Sequence, residues 1–164
     1  MEVVTREVRR ALDAGLYYLA VVLTLTLPDI CAALESDDGE STGARYRAWC
    51  DTWMASTYPM LNGHDLWSLR CGVLHQGKLG HPNMSYTRVL FTIPNAQGMY
   101  FHNNVMNDAL NLDAVTFCEE VVGAVSQWYA ANKTSPNVQA NWPQLLQYRE
   151  QGLAPYMVGI PLIA

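Results

Sequence analysis

Charge is what this sequence has least of. Only 15% of its 164 residues are Asp, Glu, Lys or Arg, against about a quarter in an ordinary globular chain. The balance is acidic, with a formal net charge of −5. That excludes broad, sequence-independent nucleic-acid binding, which needs a basic footprint, but leaves room for a small local cationic pocket. No C-x-x-C pair occurs among Cys31, Cys50, Cys71 and Cys118. All four fall in predicted helices and read as buried free thiols in a reducing compartment, not as a disulfide frame or a zinc site. His75 and His81 stand too far from other ligand types to hold a metal. There is no internal repeat, no G-x-G-x-x-G, no P-loop and no G-x-S-x-G, so no cofactor is expected.

Long apolar runs are also missing. The longest, residues 16–27, has about a dozen members, short of the ~20 that a membrane-spanning helix needs. Arg9 and Arg10 before it and Cys31-Ala32-Ala33 after it outline a signal peptide, but Glu2, Glu7 and Asp13 dilute the positive start. A cytoplasmic protein without membrane attachment is the expectation.

Apolar and aromatic residues are abundant. Half of the residues are apolar, with five tryptophans and nine tyrosines. A chain of this length forms one domain, residues 1–164, and buries about two thirds of its unfolded surface. A low-charge, aromatic-rich surface implies cover by a partner, most simply a second copy.

The patterning predicts a mainly α fold. Residues 2–35 read as one long helix or two in series, kinked where Pro28 removes an amide, with a central, largely covered middle. Residues 36–40 form a loop, after which Ser41 or Thr42 caps a helix over about 42–57. Tyr46, Trp49, Cys50, Trp53 and Met54 recur there at helical spacing as a core or interface stripe. Asn62 caps the next helix, with Asp65 placed to reach back, and Gly77 is a natural C′ residue. Gly72 costs helix stability and marks a close approach of another backbone. A small hairpin is predicted at about 87–102, with Met99–His102 returning antiparallel to 87–93. The most strongly periodic helix spans about 113–132. A short helix near 142–149 leads into an uncharged end, and the whole tail, about 139–164, is expected to dock on the domain or a partner.

One stretch carries chemistry: Leu69-Arg70-Cys71-Gly72-Val73-Leu74-His75-Gln76-Gly77. An arginine keeps its charge at any ordinary pH and a histidine exchanges a proton near neutrality. Together they suit phosphate-ester chemistry, the cation holding phosphoryl charge while the imidazole moves a proton. On a straight helix residues five apart lie about 140° and roughly 7.5 Å from each other. Both reach one groove only if it straddles the helix or if the helix loosens near Gly77. The alternative is a surface arginine and a buried, hydrogen-bonded histidine. Arg45, Arg47 and Lys78 are the candidate substrate-binding cations. Asp29, Glu35 and Cys71 are candidates to orient or support the pair. A thiol enzyme pairing Cys31 or Cys71 with His75 is a third arrangement.

Arg70-x-x-x-x-His75, late in a helix of a small helical domain, resembles the R-x4–6-H motif of the HEPN superfamily. Leu27-Pro28-Asp29-Ile30-Cys31, Arg45-Tyr46 and Leu69 to Gly77 are similar to a group of uncharacterised bacterial HEPN-like proteins over about residues 15–130. The resemblance implies a helical bundle that pairs as a homodimer. Active members are metal-independent ribonucleases, often toxins or defence effectors, whose two motifs face each other across a cleft. On this pattern His75 is the general acid or base for attack of a ribose 2′-hydroxyl on the adjacent phosphate, and Arg70 stabilises the phosphorane. RNA and an antitoxin-like protein are the implied partners. Cys71 departs from the polar residue that commonly follows the arginine in active members, and many HEPN domains are non-catalytic binding modules.

Overall fold

Between residues 2 and 35 the chain makes two helices, α1 (Glu2–Asp13) and α2 (Tyr17–Glu35), and the break falls at residues 14–16. Pro28 lies inside α2 without ending it. The computed structural model describes residues 1–80 and 82–164, so that His81 lies outside the described residues. With apolar side chains on nearly every face, α2 buries Ala20, Leu25, Leu27, Cys31 and Leu34. Helices α1, α3 (Gly43–Trp53), α5 (Ala114–Asn132) and α6 (Pro136–Asn141) pack around it. At 19 residues it is longer than the run of a dozen that hydropathy suggests. By length and composition it could cross a bilayer, and half of it is buried within this fold.

Capping chemistry sets the helix starts. Thr42 caps α3 by accepting from Arg45 N at 3.2 Å, and the helix ends at Trp53, short of the predicted 57. Tyr46, Trp49 and Cys50 are buried, and the Tyr46 hydroxyl donates to the Leu25 carbonyl at 3.1 Å. Asn62 caps α4 (Gly63–Cys71) by accepting from Asp65 N. Asp65 does not close a capping box. Its buried carboxylate instead accepts from Ser85 N (2.7 Å) and Ser85 Oγ (2.9 Å), pinning the loop ahead of the sheet. Asp113 caps α5 through Thr116 N at 2.9 Å, and Phe117, Val121, Val125 and Trp128 enter the core.

The predicted hairpin over 87–102 does not form. Strand β1 (Arg88–Thr92) pairs in parallel with β3 (Ala109–Asp113), and β2 (Asn104–Met106) lies antiparallel on the other side of β3. The hairpin is β2–β3, turned by Asn107 and Asp108 with φ of 51° and 61°, the two positive angles a type I′ turn requires. Val89, Leu110 and Leu112 anchor the sheet in the core. Residues 99–102 belong to the crossover instead, because His102 is drawn onto α5.

The tail also differs from expectation. Its helix is α6, followed by a single 3-10 turn at Trp142–Gln144; residues 145–149 are not helical. Asn141 Nδ2 donates to the carbonyls of Ala33, Leu34 and Ser36 and so fixes α6 to the end of α2. Beyond it, β4 (Tyr148–Arg149) pairs with β7 (Leu162–Ile163), and β5 (Gly152–Leu153) with β6 (Met157–Val158). At the base of this ribbon, Leu145–Tyr148 line a pocket together with Met1–Val4.

Candidate functional site

The helix carrying Arg70 changes pitch just after it. Residues Gly72–Gln76 form a π-helical turn, closed by Gly77 at φ 63° with its N–H on the Gly72 and Val73 carbonyls. A bond from i to i+5 winds less per residue than one from i to i+4. The π turn therefore brings Arg70 and His75 nearer to one face than the about 140° of a straight α-helix. Gly72 makes the turn sterically possible, since a Cβ there would lie 2.8 Å from the Lys78 carbonyl. The outcome is direct contact: Arg70 Nη1 lies 2.9 Å from His75 Nε2. A guanidinium can only donate, so in this contact Nε2 is the acceptor. This is the loosened helix near Gly77, not a groove straddling a straight one.

Asp29, from the middle of α2, completes the group. Arg70 Nε donates to Asp29 Oδ2 at 2.8 Å, with both side chains largely buried. Asp29 Oδ1 accepts from Ser41 Oγ at 2.9 Å, so Ser41 orients the carboxylate while its neighbour Thr42 caps α3. The guanidinium also sits 5.0 Å above the Trp67 ring, a cation–π contact. Trp67 in turn meets Tyr46 edge to face at 5.2 Å. Burial pushes the Arg70 pKa down, but Asp29 and the adjacent Cys71 thiol outweigh it, and the net shift is upward. Arg70 is thus an oriented, permanently charged donor with His75 exposed beside it. This inverts the alternative of a surface arginine and a buried histidine.

The other candidates divide. Cys71 is half-buried next to Arg70. Lys78 is exposed just beyond the π turn, its carbonyl against Gly72. Arg47 donates to the Gly43 carbonyl at 3.0 Å. Arg45 and Glu35 belong elsewhere, lining a pocket with Trp49 and Trp53. There Arg45 is held by Asp37 (3.1 Å) and Asp38 (2.6 Å). Loop 36–40 therefore claims Arg45, and neither residue shares a contact with Arg70 or His75. Burial pushes the Cys31 thiol well up, which removes it as a nucleophile. Among the described residues, no three His, Cys, Asp or Glu side chains gather as a metal site.

One feature at this site had no spacing to reveal it: Ser41 reaches Asp29 across a loop. Trp67 was legible, since it stands three residues before Arg70 on one helix face. A second polar cluster was equally hidden. Tyr58 and His102 both hydrogen-bond Glu120 Oε2, the latter from Nε2 at 3.2 Å. His102 Nδ1 accepts from Asp113 N at 3.1 Å, which leaves Nε2 as the ring nitrogen that meets Glu120. This imidazole serves as a clasp between the crossover and α5.

Comparison with protein-family models, with curated proteins and with solved structures finds no match to this chain.

Proposed function

We propose that this protein is an endoribonuclease of HEPN type that works as a dimer without a metal. The observation that supports the reading is the π turn, which sets the His75 imidazole against the Arg70 guanidinium while Asp29 fixes that guanidinium from behind. π-Helical turns concentrate at functional sites. In this reading a phosphodiester docks on the N–H groups of Arg70 that Asp29 and His75 leave free. His75 Nε2 exchanges its bond to Arg70 for the ribose 2′-hydroxyl and takes its proton. The 2′-oxygen attacks phosphorus, Arg70 holds the charge on the non-bridging oxygens, and the 5′-oxygen leaves with a proton returned by an imidazole. The products are a 2′,3′-cyclic phosphate and a 5′-hydroxyl. The sequence resemblance supplies the second motif across a dimer cleft and the expectation of a cytoplasmic, bacterial effector restrained by an antitoxin-like partner.

A second reading has its own support. Arg70 is already bound by a carboxylate, an imidazole and an indole ring, as a structural cation would be. The protein is then a non-catalytic HEPN-like binding module. Incubating a mixed RNA pool in EDTA with wild type, Arg70→Ala and His75→Ala separates the two, with folds checked by circular dichroism and melting. Cleavage by wild type alone, with cyclic-phosphate ends, is the expected result. Silence from all three overturns the nuclease reading. The structural role then predicts that His75→Ala loses about 1 kcal/mol, the scale of one hydrogen bond.

A further inference from the structure

Two apolar surfaces are left uncovered, and they are complementary in kind. One is the C-terminal ribbon, residues 145–164. Gln147 and Ala164 exchange both backbone hydrogen bonds at its base, at 2.8 and 3.0 Å, but a lone two-stranded ribbon is marginal in water. This one carries no charged residue from 151 to 164. Tyr156 is 84% exposed, Val158 71%, and Ile160 and Ile163 56% each. With Leu146, Tyr148 and Met157, seven large apolar side chains of the ribbon stay exposed, a contiguous patch of the kind that marks an interface.

The other surface is a groove of about 190 Å³ lined by Tyr18, Val21, Val73, Leu79, Phe91 and Ile93. It borders β1, which among the described residues has a ladder partner on one side only. An open strand edge beside apolar pockets receives an extended segment by strand addition, main-chain bonds holding it and alternate side chains filling the pockets. Ribbon and groove sit at opposite ends of α2: the groove touches Tyr18, whereas α6, which leads to the ribbon, is tied to Ala33 and Leu34. A helix of 19 residues separates its ends by about 28 Å. The ribbon does not fill its own groove.

We propose that the ribbon docks in the groove of a second copy of this chain, along β1, and that two such contacts related by a two-fold axis close a dimer. A two-fold places each ribbon at the other chain's groove and leaves neither surface bare. Residues 151–164 of the ribbon and the lining of the groove carry no charged side chain, which fits a dry contact between copies. Val73 lies in the π turn, so the seated ribbon also packs against the segment that presents His75. The proposal holds whether or not Arg70 and His75 cleave RNA.

Sedimentation equilibrium of the full chain tests it, with Val158→Glu altering the ribbon and Ile93→Asp the groove. Both side chains are exposed in the single chain, so the helical circular dichroism of each variant should match wild type. Wild type is expected at the dimer mass, and each variant should dissociate at least ten times more readily. Tyr156→Ser and Leu79→Ser serve as milder replacements should either charged variant fold poorly. A monomeric wild type, or a dimer unaffected by Ile93→Asp, overturns the proposal; the latter would mean that ribbons pair with each other and not with the groove.

Discussion

Asp29 decides what Arg70 can do. With one oxygen on Arg70 Nε and the other on Ser41 Oγ, the carboxylate fixes the guanidinium plane and leaves its outer N–H groups toward His75. Replacing it with asparagine keeps the volume but strands a largely buried cation. We expect Asp29→Asn to lower stability by about 2 kcal/mol, the scale of a hydrogen bond to a charged group, as urea unfolding would measure. Ser41→Ala removes only the support of Asp29, and about 1 kcal/mol is expected. In the nuclease reading the same variant lowers kcat more than it raises KM, because Arg70 loses its aim while still binding phosphate. Single residues were unevenly legible in the sequence. Arg70, His75 and Asp29 stood out because charged groups in apolar helices need partners. Arg45 and Lys78 stood out only as cations, and the acidic loop that neutralises Arg45 lies so close in sequence that the pairing could have been read from it.

At the scale of elements, the π turn is the feature that no periodicity could announce. Five residues are too few to show a change of pitch, and Gly77 reads equally well as the C′ residue of an ordinary helix. Gly72 was the usable signal, and the backbone it accommodates is the carbonyl of Lys78. The turn reverses a familiar sign. In an ordinary helix Gly→Ala stabilises by roughly 0.5–1 kcal/mol. Here the new Cβ would meet a carbonyl oxygen at 2.8 Å, and Gly72→Ala should destabilise by about 1–3 kcal/mol, as overpacking does. Chemical denaturation checks the sign directly. The sheet was misread for a related reason. Residues 99–102 have strand composition, but the Asn107–Asp108 turn and the pull of Glu120 on His102 assign the pairing to β2 and β3 instead. Loop 36–40 supplies a pH prediction. The Glu40 N–H and the Arg45 guanidinium bring the Asp38 carboxyl down to about 2. A depressed carboxyl stabilises above its unfolded value near 4 and ceases to do so as the pH falls through its folded value. The stability this contact gives should therefore fade between about pH 4 and pH 2, with the Asp38 carboxyl itself protonating only near the lower end, which NMR of Asp38 would follow.

The whole molecule is arranged around α2. Its start borders the groove, its middle supplies Asp29, and its end holds α6 and, through it, the ribbon. That centrality was plain from a stretch apolar on every face, because only a helix covered on most sides tolerates such a pattern. What covers the remaining apolar surface was not plain, since a solitary chain gives no account of its own exposed ribbon. In the proposed ribbon-exchanged dimer, association adds to the stability of a chain that already folds alone, and the melting temperature must then rise with protein concentration. Tenfold mass action is worth about 1.4 kcal/mol per dimer, shared between two chains. For a domain of this size that corresponds to roughly 2 °C per tenfold in concentration. Scanning calorimetry across a hundredfold range should show this drift in wild type and lose it in Val158→Glu, whose melting would become independent of concentration at the lower temperature. A wild type that melts at one temperature throughout would place the ribbon on something other than a second copy of this chain.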